Sequence, residues 1–345
     1  MSIPLPLRFM GAPGSPYTRK MLALLRYRHL PYELLIGDQS SRLGLPRPKV
    51  ALLPTFYLPD DSGEVEAVVD STPLIRRFER AFEGRSTIPP DPVLGFLNYL
   101  LEDYADEWLT KAMFHYRWHY RADIEKAGTI LPMWRDITAS PEELEKRKDY
   151  VAERQISRLY VVGSNETTAP VIEASYERFL AIFDALLQRH PFLFGHRPGS
   201  ADFGVYAQLT QLAKFDPTPA GVCLEQAPRV SAWTDLVDDL SGTEARDDGW
   251  IDRATAAETL RDLLVEVGRV YAPTLLANAR ALQAGEQKFE TTIDGRHWVQ
   301  PTFPYQGRCL GWIREEFSTL APEDASRVRD MLHGTGCEPL LEAAG

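Results

Sequence analysis

One stretch near the start of the chain constrains the fold more than any other. A short apolar run from Leu7 to Met10 predicts a strand, and Gly11 to Gly14 predicts a tight turn after it. From Ser15 onward, apolar residues recur at helical spacing, which predicts an amphipathic helix. A helix that begins at such a turn points its free N–H groups and the positive end of its dipole at the space above Ser15. The sequence therefore predicts an anion site there.

Length and charge narrow the class of protein. At about 100–200 residues per domain, a chain of 345 residues predicts two or three domains. The net charge of -11 argues against nucleic acid as the main partner, because phosphate binding needs a basic face. The start of the chain does not resemble a signal peptide, and no apolar run is long enough to cross a membrane. We therefore expect a cytoplasmic protein that acts away from membranes.

Cysteines and histidines give no sign of a metal or disulfide framework. The three cysteines, Cys223, Cys309 and Cys337, form no Cys-x-x-Cys pair. His115 and His119 are spaced to share a helix face, but the sequence supplies no third ligand and no His-Glu-x-x-His pattern. We expect no metal site, and a packing or hydrogen-bonding role for both histidines.

The order of predicted elements indicates two unlike domains and an extension. Strand, turn and helix signals alternate over residues 1–86, which predicts a small α/β domain, and a proline-rich segment follows it. Helical periodicity then predicts an all-α domain at 92–243 and a mainly helical extension at 244–345 that packs on it. Thr72 and Pro73 predict the N-cap and the first residue of a helix. The other predicted elements are strands at 31–36, 55–58 and 66–69, helices at 142–160, 171–188, 201–212, 230–240, 254–282, 310–320 and 325–332, and a hairpin around Asp294-Gly295.

Four motifs follow one another along the chain, Ser15-Pro16-Tyr17-Thr18, residues 52–56, Asp70-Ser71 and residues 192–205. Their order is similar to that of motifs in glutathione transferases. Ser15-Pro16-Tyr17-Thr18 resembles the Cys-Pro-Tyr-Cys redox turn of glutaredoxins with both sulfurs replaced by hydroxyls. Residues 52–56 resemble the segment that holds the cis-proline of thioredoxin-like domains. Asp70-Ser71 resembles the acidic-Ser pair that binds the γ-glutamyl end of glutathione. Residues 192–205 resemble the entry to the central helix of the transferase C-terminal domain, with Gly199 where the family usually has a Ser or Thr cap.

The resemblance implies an α/β plus all-α fold, in which a thioredoxin-like domain precedes a glutathione transferase-like helical domain and the extension. It also implies glutathione as co-substrate and a homodimer. Ser15 would donate a hydrogen bond to the glutathione thiolate, with Tyr17 as the alternative donor, although Ser15 could also serve only as an N-cap. Because neither end of the turn carries a sulfur, thiol-disulfide exchange is disfavoured there.

The same resemblance implies how the rest of glutathione would be held. If the peptide bond before Pro54 is cis, the Leu53 backbone is free to pair with an extended peptide. Asp70 and Ser71 would bind the γ-glutamyl zwitterion, or would only cap a helix. Lys49 would bind the glycine carboxylate, and the alternatives for that role are Arg42 and Arg47.

In the resembling fold the first long helix lines the pocket for the second substrate. That pocket would be lined here by Trp108, Lys111, Phe114, His115 and Trp118. The implied reaction is attack of the thiolate on a small hydrophobic electrophile, by conjugation, isomerisation or dehalogenation. The alternatives are a non-catalytic binding or scaffold protein with the same fold, and disulfide reduction by the three cysteines.

Overall fold

A computed structural model describes residues 3–342, so the outermost residues of the predicted first domain and of the extension lie outside it. The first part of the chain forms a four-stranded mixed sheet of order β2-β1-β3-β4, with β1 parallel to β2 and antiparallel to β3. Phe9 stacks on Phe56 in its core, with ring centroids 4.5 Å apart. The elements are β1 Leu7–Met10, α1 Pro16–Tyr27, β2 Tyr32–Leu35, α2 Gln39–Arg42, β3 Thr55–Pro59, β4 Val65–Val68 and α3 Ser71–Ala81.

The four predicted strands of this region are confirmed, whereas the predicted start of α3 is wrong. Asp70, not Thr72, occupies the N-cap position of α3, with a φ of 84°. The Thr72 hydroxyl donates to Glu102 Oε1 at 2.7 Å instead of capping the helix. The Glu102 carboxylate therefore competes successfully for the hydroxyl that the sequence assigns to the cap.

From Pro92 the chain is helical, as predicted, and its helices surround a buried α9. Gly199 precedes α9, and the Asp202 carboxylate accepts a hydrogen bond from the Gly199 amide at 2.8 Å. A Cβ at residue 199 would lie 2.4 Å from Asn98 Oδ1, so close packing explains why glycine stands here. The helices are α4 Pro92–Tyr104, α5 Thr110–His119, α6 Arg121–Arg135, α7 Pro141–Ile156, α8 Ala169–Leu187, α9 Ser200–Leu209, α10 Pro217–Gln226 and α11 Pro228–Val237.

The extension contains the predicted hairpin, but the single helix predicted at 254–282 is wrong. A wide helical turn, Val267–Tyr271, interrupts it just before Pro273, which has no N–H to donate to the preceding turn. In the hairpin, Asp294 and Gly295 both have positive φ, as a two-residue turn of this kind requires. The elements are α12 Arg253–Thr259, α13 Arg261–Glu266, α14 Ala272–Gln283, β5 Lys288–Ile293, β6 Arg296–Pro301, α15 Pro304–Ser318 and α16 Pro322–Leu332.

The extension packs on the helical region and shares its hydrophobic core. Helices α15 and α16 both lie against α4. Trp298 of β6 is fully buried against Trp108, with ring centroids 5.6 Å apart. Burial of such large rings provides much of the driving force for docking the extension. Among the helices within residues 3–342, none combines the length and the apolar character needed to cross a membrane.

Candidate active site

A cavity of about 670 Å³ opens at the start of α1. Ser15 lines it on one side, and Leu53 and Tyr57 line it on another. Leu131 and Trp134 of α6 form the wall that the helical region contributes. The volume falls within the range of about 300–1,000 Å³ that small-molecule sites occupy. The cavity therefore has the size and the mixed lining of a ligand site.

Ser15 lies at the N-cap of α1 and faces this cavity. Its Oγ accepts a hydrogen bond from the Thr18 amide and donates one to the Leu53 carbonyl, both at 3.3 Å. Both bonds are long, so the hydroxyl proton is only weakly held. The first turn of α1 carries no acidic residue that would offset the positive end of the helix dipole. The structure thus brings a hydroxyl donor and a helix N-terminus to one side of the cavity.

The peptide bond between Leu53 and Pro54 is cis. The Leu53 carbonyl accepts from Ser15, and its amide has no hydrogen-bond partner within residues 3–342. Thr55 Oγ1 donates to the Leu52 carbonyl at 2.7 Å and so fixes the loop next to the cis bond. An extended peptide could therefore pair with the Leu53 backbone beside Ser15.

Arg117 of α5 supports the turn from the helical region, and the sequence did not identify it. Its Nη1 donates to the Gly14 carbonyl at 3.3 Å. Asp216 holds the same guanidinium through contacts of 2.8 to 3.0 Å, and Gln211 accepts from it at 2.7 Å. Arg117 is only 4% exposed and Asp216 is fully buried. A buried ion pair thus anchors the residue next to Ser15.

Tyr17 points away from the cavity. Its hydroxyl donates to the Asp106 carbonyl at 2.8 Å and lies 3.4 Å from Thr110 Oγ1. Burial, reinforced by the Glu107 and Asp106 carboxylates, raises the pKa of Tyr17 well above its usual value. The phenol therefore stays protonated, and its hydrogen bond joins α1 to the helical region. In this arrangement Tyr17 has a packing role rather than that of a thiol donor.

Ser71 does not line the cavity, because its side chain belongs to a buried network. Its Oγ accepts from Lys20 Nζ at 3.3 Å, and Lys20 also contacts Glu102 at 2.7 Å and Asp106 at 2.5 Å. Although burial alone lowers the pKa of Lys20, the two carboxylates raise it above its usual value, so the ammonium stays charged. The Ser71 hydroxyl is thus a structural contact in this arrangement.

Asp70 also lies outside the cavity lining, but its carboxylate is only partly engaged. Asp70 Oδ2 accepts a hydrogen bond from the hydroxyl of Tyr305, which belongs to α15 of the extension, at 2.8 Å. Within residues 3–342 no side chain donates to the other oxygen, Oδ1, and the carboxylate does not form a regular cap on α3, although the Thr72 amide lies close enough to help lower the pKa of Asp70. Burial raises the pKa of Asp70, and the Tyr305 hydrogen bond opposes that rise.

The cation at the cavity is not the one that the sequence favoured. Lys49 is exposed and is not part of the lining. Arg47 and Arg135 line the cavity, whereas Arg42 forms an ion pair with Asp38 at 2.9 Å. Of the three basic loop residues, Arg47 is therefore the one available to an anion in the cavity.

The stripe on the first long helix does not line the cavity either. Trp108 Nε1 donates to Ser175 Oγ at 2.8 Å, and Lys111 Nζ donates to Gln300 Oε1 at 3.1 Å. Helix α8 and the β5–β6 hairpin cover the part of this face around Trp108 and Lys111, whereas Trp118 packs against α6 and Phe215. Helix α6 supplies the cavity wall instead. The predicted pocket residues that do not line the cavity are Trp108, Lys111, Phe114, His115 and Trp118.

The histidines of this stripe have protein partners. His115 contacts Ser164 Oγ at 2.8 Å through Nδ1 and Glu173 Oε1 at 3.0 Å through Nε2. The His119 ring stacks on His115, with centroids 4.7 Å apart. In the part of the chain that the structure describes, no three His, Cys, Asp or Glu side chains are grouped to hold a metal ion.

Comparisons with known proteins agree with this architecture. A model of the glutathione S-transferase N-terminal domain matches residues 9–86, and a model of the glutathione S-transferase C-terminal domain matches residues 149–236. The chain is thus a glutathione transferase-like protein, with a thioredoxin-like domain followed by a helical domain and an extension. The extension lies outside both matched segments.

Solved structures with a similar fold include a GST-like protein from Pseudomonas syringae, which is 18% identical, with 69% of this chain and 67% of that chain covered and a TM-score of 0.40. The Tau class enzyme from mango, Mangifera indica, is 18% identical, with 73% and 96% covered and a TM-score of 0.41. A glutathione S-transferase from Rhodospirillum rubrum is 19% identical, with 72% and 98% covered and a TM-score of 0.40. No curated protein matches the chain significantly.

Proposed function

We propose that this protein binds glutathione at the start of α1 and activates its thiolate for attack on a small hydrophobic electrophile. The observation that carries the proposal is the position of Ser15. Its hydroxyl faces the cavity at a helix N-terminus, next to the free amide of Leu53. An anion placed there gains from the helix dipole and from a hydroxyl donor together.

Ser15 and the Leu53 backbone act together in this proposal. An extended tripeptide that pairs with Leu53 donates its cysteinyl N–H to the Leu53 carbonyl, which now accepts from Ser15. The Ser15 hydroxyl is then released to donate to the sulfur. Lowering a thiol pKa by about 2 units requires about 2.7 kcal/mol, and a hydrogen bond to a charged group contributes about 1.5–3 kcal/mol.

The remaining groups divide between the two substrates. Arg47 is placed to attract the glycine carboxylate, and Asp70 is the carboxylate available for the γ-glutamyl ammonium. Leu131 and Trp134 offer an apolar surface beside Gly14 for the electrophile. Desolvation by this wall strengthens the interactions that hold the thiolate. Conjugation, isomerisation and dehalogenation all share this activation step.

A non-catalytic binding or scaffold protein is the second candidate, because one observation favours it. The Ser71 side chain, which would hold the γ-glutamyl carboxylate, is buried and bonded to Lys20. Disulfide reduction has no comparable support. All three cysteines are buried, and burial raises the pKa of Cys223 to about 11 and that of Cys337 to about 12, which suppresses the reactive thiolate. The cytoplasmic location and the homodimer stay predictions.

The experiment compares two serine N-caps. Ser140 caps α7 and accepts from the Glu143 amide at 3.3 Å, just as Ser15 accepts from Thr18, and a proline follows each serine. Ser15→Ala and Ser140→Ala should therefore each lower stability by about 1 kcal/mol through loss of the cap.

Only Ser15→Ala should lower kcat/KM for glutathione and a halogenated dinitrobenzene, by about 10- to 100-fold, because only Ser15 faces the thiolate. Equal kinetics in wild type and both variants would refute the role of Ser15. A wild-type protein that binds glutathione without turning over any electrophile would support the scaffold.

A further inference from the structure

We propose that the extension completes the glutathione site, through the hydrogen bond from the Tyr305 hydroxyl to Asp70. This inference rests on the proposed function, because it assigns a role to a contact beside the γ-glutamyl end of the same ligand. Tyr305 is a positioning residue in this account: it acts on the ligand through Asp70 and does not touch the reacting sulfur.

The first step is the geometry of the Asp70 carboxylate. Tyr305 donates to Oδ2 at 2.8 Å, and no side chain within residues 3–342 donates a hydrogen bond to Oδ1. Asp70 has a φ of 84°, a left-handed conformation that a residue other than glycine rarely adopts. Such strain persists only where surrounding contacts hold it. One oxygen is thus fixed by the extension while the other is presented to a cation.

The second step is that α15 holds Tyr305 in place. The Asn278 side chain bonds both sides of Phe303, accepting from its amide at 2.8 Å and donating to its carbonyl at 3.0 Å. Phe303 directly precedes α15, so this pair fixes the start of that helix. The guanidinium of Arg308 lies 5.2 Å from the centre of the Tyr305 ring, and Trp312 packs edge-on at 6.0 Å. The phenol is therefore preorganised rather than free to rotate.

The third step concerns charge. Asp70 is largely buried, and burial favours the neutral acid, which cannot hold an ammonium group by an ion pair. A phenol that donates to the carboxylate favours its ionised form. The Tyr305 hydrogen bond, together with the Lys20 charge, opposes the rise in the pKa of Asp70 that burial causes, and so favours the ionised state that the γ-glutamyl ammonium requires.

A matched pair of substitutions tests this assignment. Tyr305→Phe removes the hydroxyl and keeps the ring. Tyr271→Phe is the control, because Tyr271 also donates from the extension to a buried carboxylate, Asp103, at 2.5 Å. Both variants lose one phenol–carboxylate bond, but only Tyr305 contacts Asp70. The probes are glutathione and its analogue in which hydrogen replaces the γ-glutamyl ammonium.

We expect Tyr305→Phe to raise the KM for glutathione about tenfold at nearly constant kcat, a size typical of losing one hydrogen bond to a charged group. It should also reduce the preference for glutathione over the analogue, because the lost interaction concerns the ammonium. Tyr271→Phe should lower thermal stability and leave both quantities unchanged.

Three results would overturn the inference. An unchanged KM in Tyr305→Phe, with a normal wild type, would leave Tyr305 a structural contact and leave the proposed function standing. Tighter binding in Tyr305→Phe would mean that α15 obstructs the ammonium site. A wild type with no saturable response to glutathione would remove the proposed function and this inference together.

Discussion

Arg117 provides the most quantitative test of how the helical domain supports the catalytic turn. The guanidinium is buried, pairs with the buried Asp216 and donates to the Gly14 carbonyl. Arg117→Met removes one partner of this pair and leaves the Asp216 carboxylate without its cation. Breaking a buried pair from one side costs about 3–5 kcal/mol. That is a large fraction of the roughly 5–15 kcal/mol by which proteins are stable.

The double variant Arg117→Met/Asp216→Leu separates stability from function. Replacing both charges with apolar side chains removes the stranded carboxylate, so we expect it to recover at least about 2 kcal/mol relative to Arg117→Met. It does not restore the donor to the Gly14 carbonyl. Turnover with glutathione should therefore stay about tenfold or more below wild type, because the turn that carries Ser15 has lost its support.

The assay is urea unfolding followed by tryptophan fluorescence, with kinetics measured on the same preparations. Arg117→Lys serves as a third variant, because it keeps the charge but cannot reproduce the bidentate contact. An Arg117→Met protein within about 0.5 kcal/mol of wild type would refute the energetic argument. A double variant with full turnover would refute the positioning argument.

Three further predictions concern other parts of the molecule. Burial raises the pKa of Asp103 to about 7, above its value in the unfolded chain. Protonation of Asp103 therefore stabilises the fold fully below about pH 4, and this stabilisation is lost as the pH rises through about 7. Asp103→Asn should therefore gain urea stability relative to wild type as the pH rises from about 4 to about 7, and a constant difference over that range would contradict this. Gly199→Ala should lose about 1–3 kcal/mol because its Cβ would press on Asn98, whereas Gly221→Ala, in open space on α10, should gain up to about 1 kcal/mol. Trp134→Ala should raise the KM for the electrophile several-fold and raise that for glutathione less, since Trp134 belongs to the apolar wall that α6 contributes next to Gly14; an equal rise in both would contradict it.

The positions of Ser15 and Pro54 in the site could be predicted from the sequence, because they depend on local chemistry. Ser15 follows a strand and a glycine-rich turn, and Pro54 lies in a short motif before a strand, so both positions depend on a few neighbouring residues. The structure places Ser15 at an N-cap and gives a cis bond before Pro54. The hairpin at Asp294-Gly295 was predictable for the same reason.

The other side chains in and around the site could not be predicted from the sequence, because their positions depend on packing between distant parts of the chain. Trp108 and Trp118 carry the same periodic pattern whether they line a pocket or fill a core. The outcome depends on distant elements, because the hairpin covers Trp108, and α6 and Phe215 cover Trp118. Trp134 lies near the end of α6. It lines the cavity only because of the way in which the two domains pack against each other. Tyr305 contacts Asp70 across 235 positions of sequence, a separation that no local motif encodes.

The most direct test of the central claim is the pKa of the glutathione thiol on the protein. It is measured from the ultraviolet absorbance of the thiolate as the pH is varied, for wild type, Ser15→Ala and Ser140→Ala. A thiol of pKa about 8.5 in solution should fall by about 2 units on wild type and on Ser140→Ala. On Ser15→Ala it should return at least about 1 unit toward the solution value. A thiol pKa that is the same on wild type and Ser15→Ala would contradict the account.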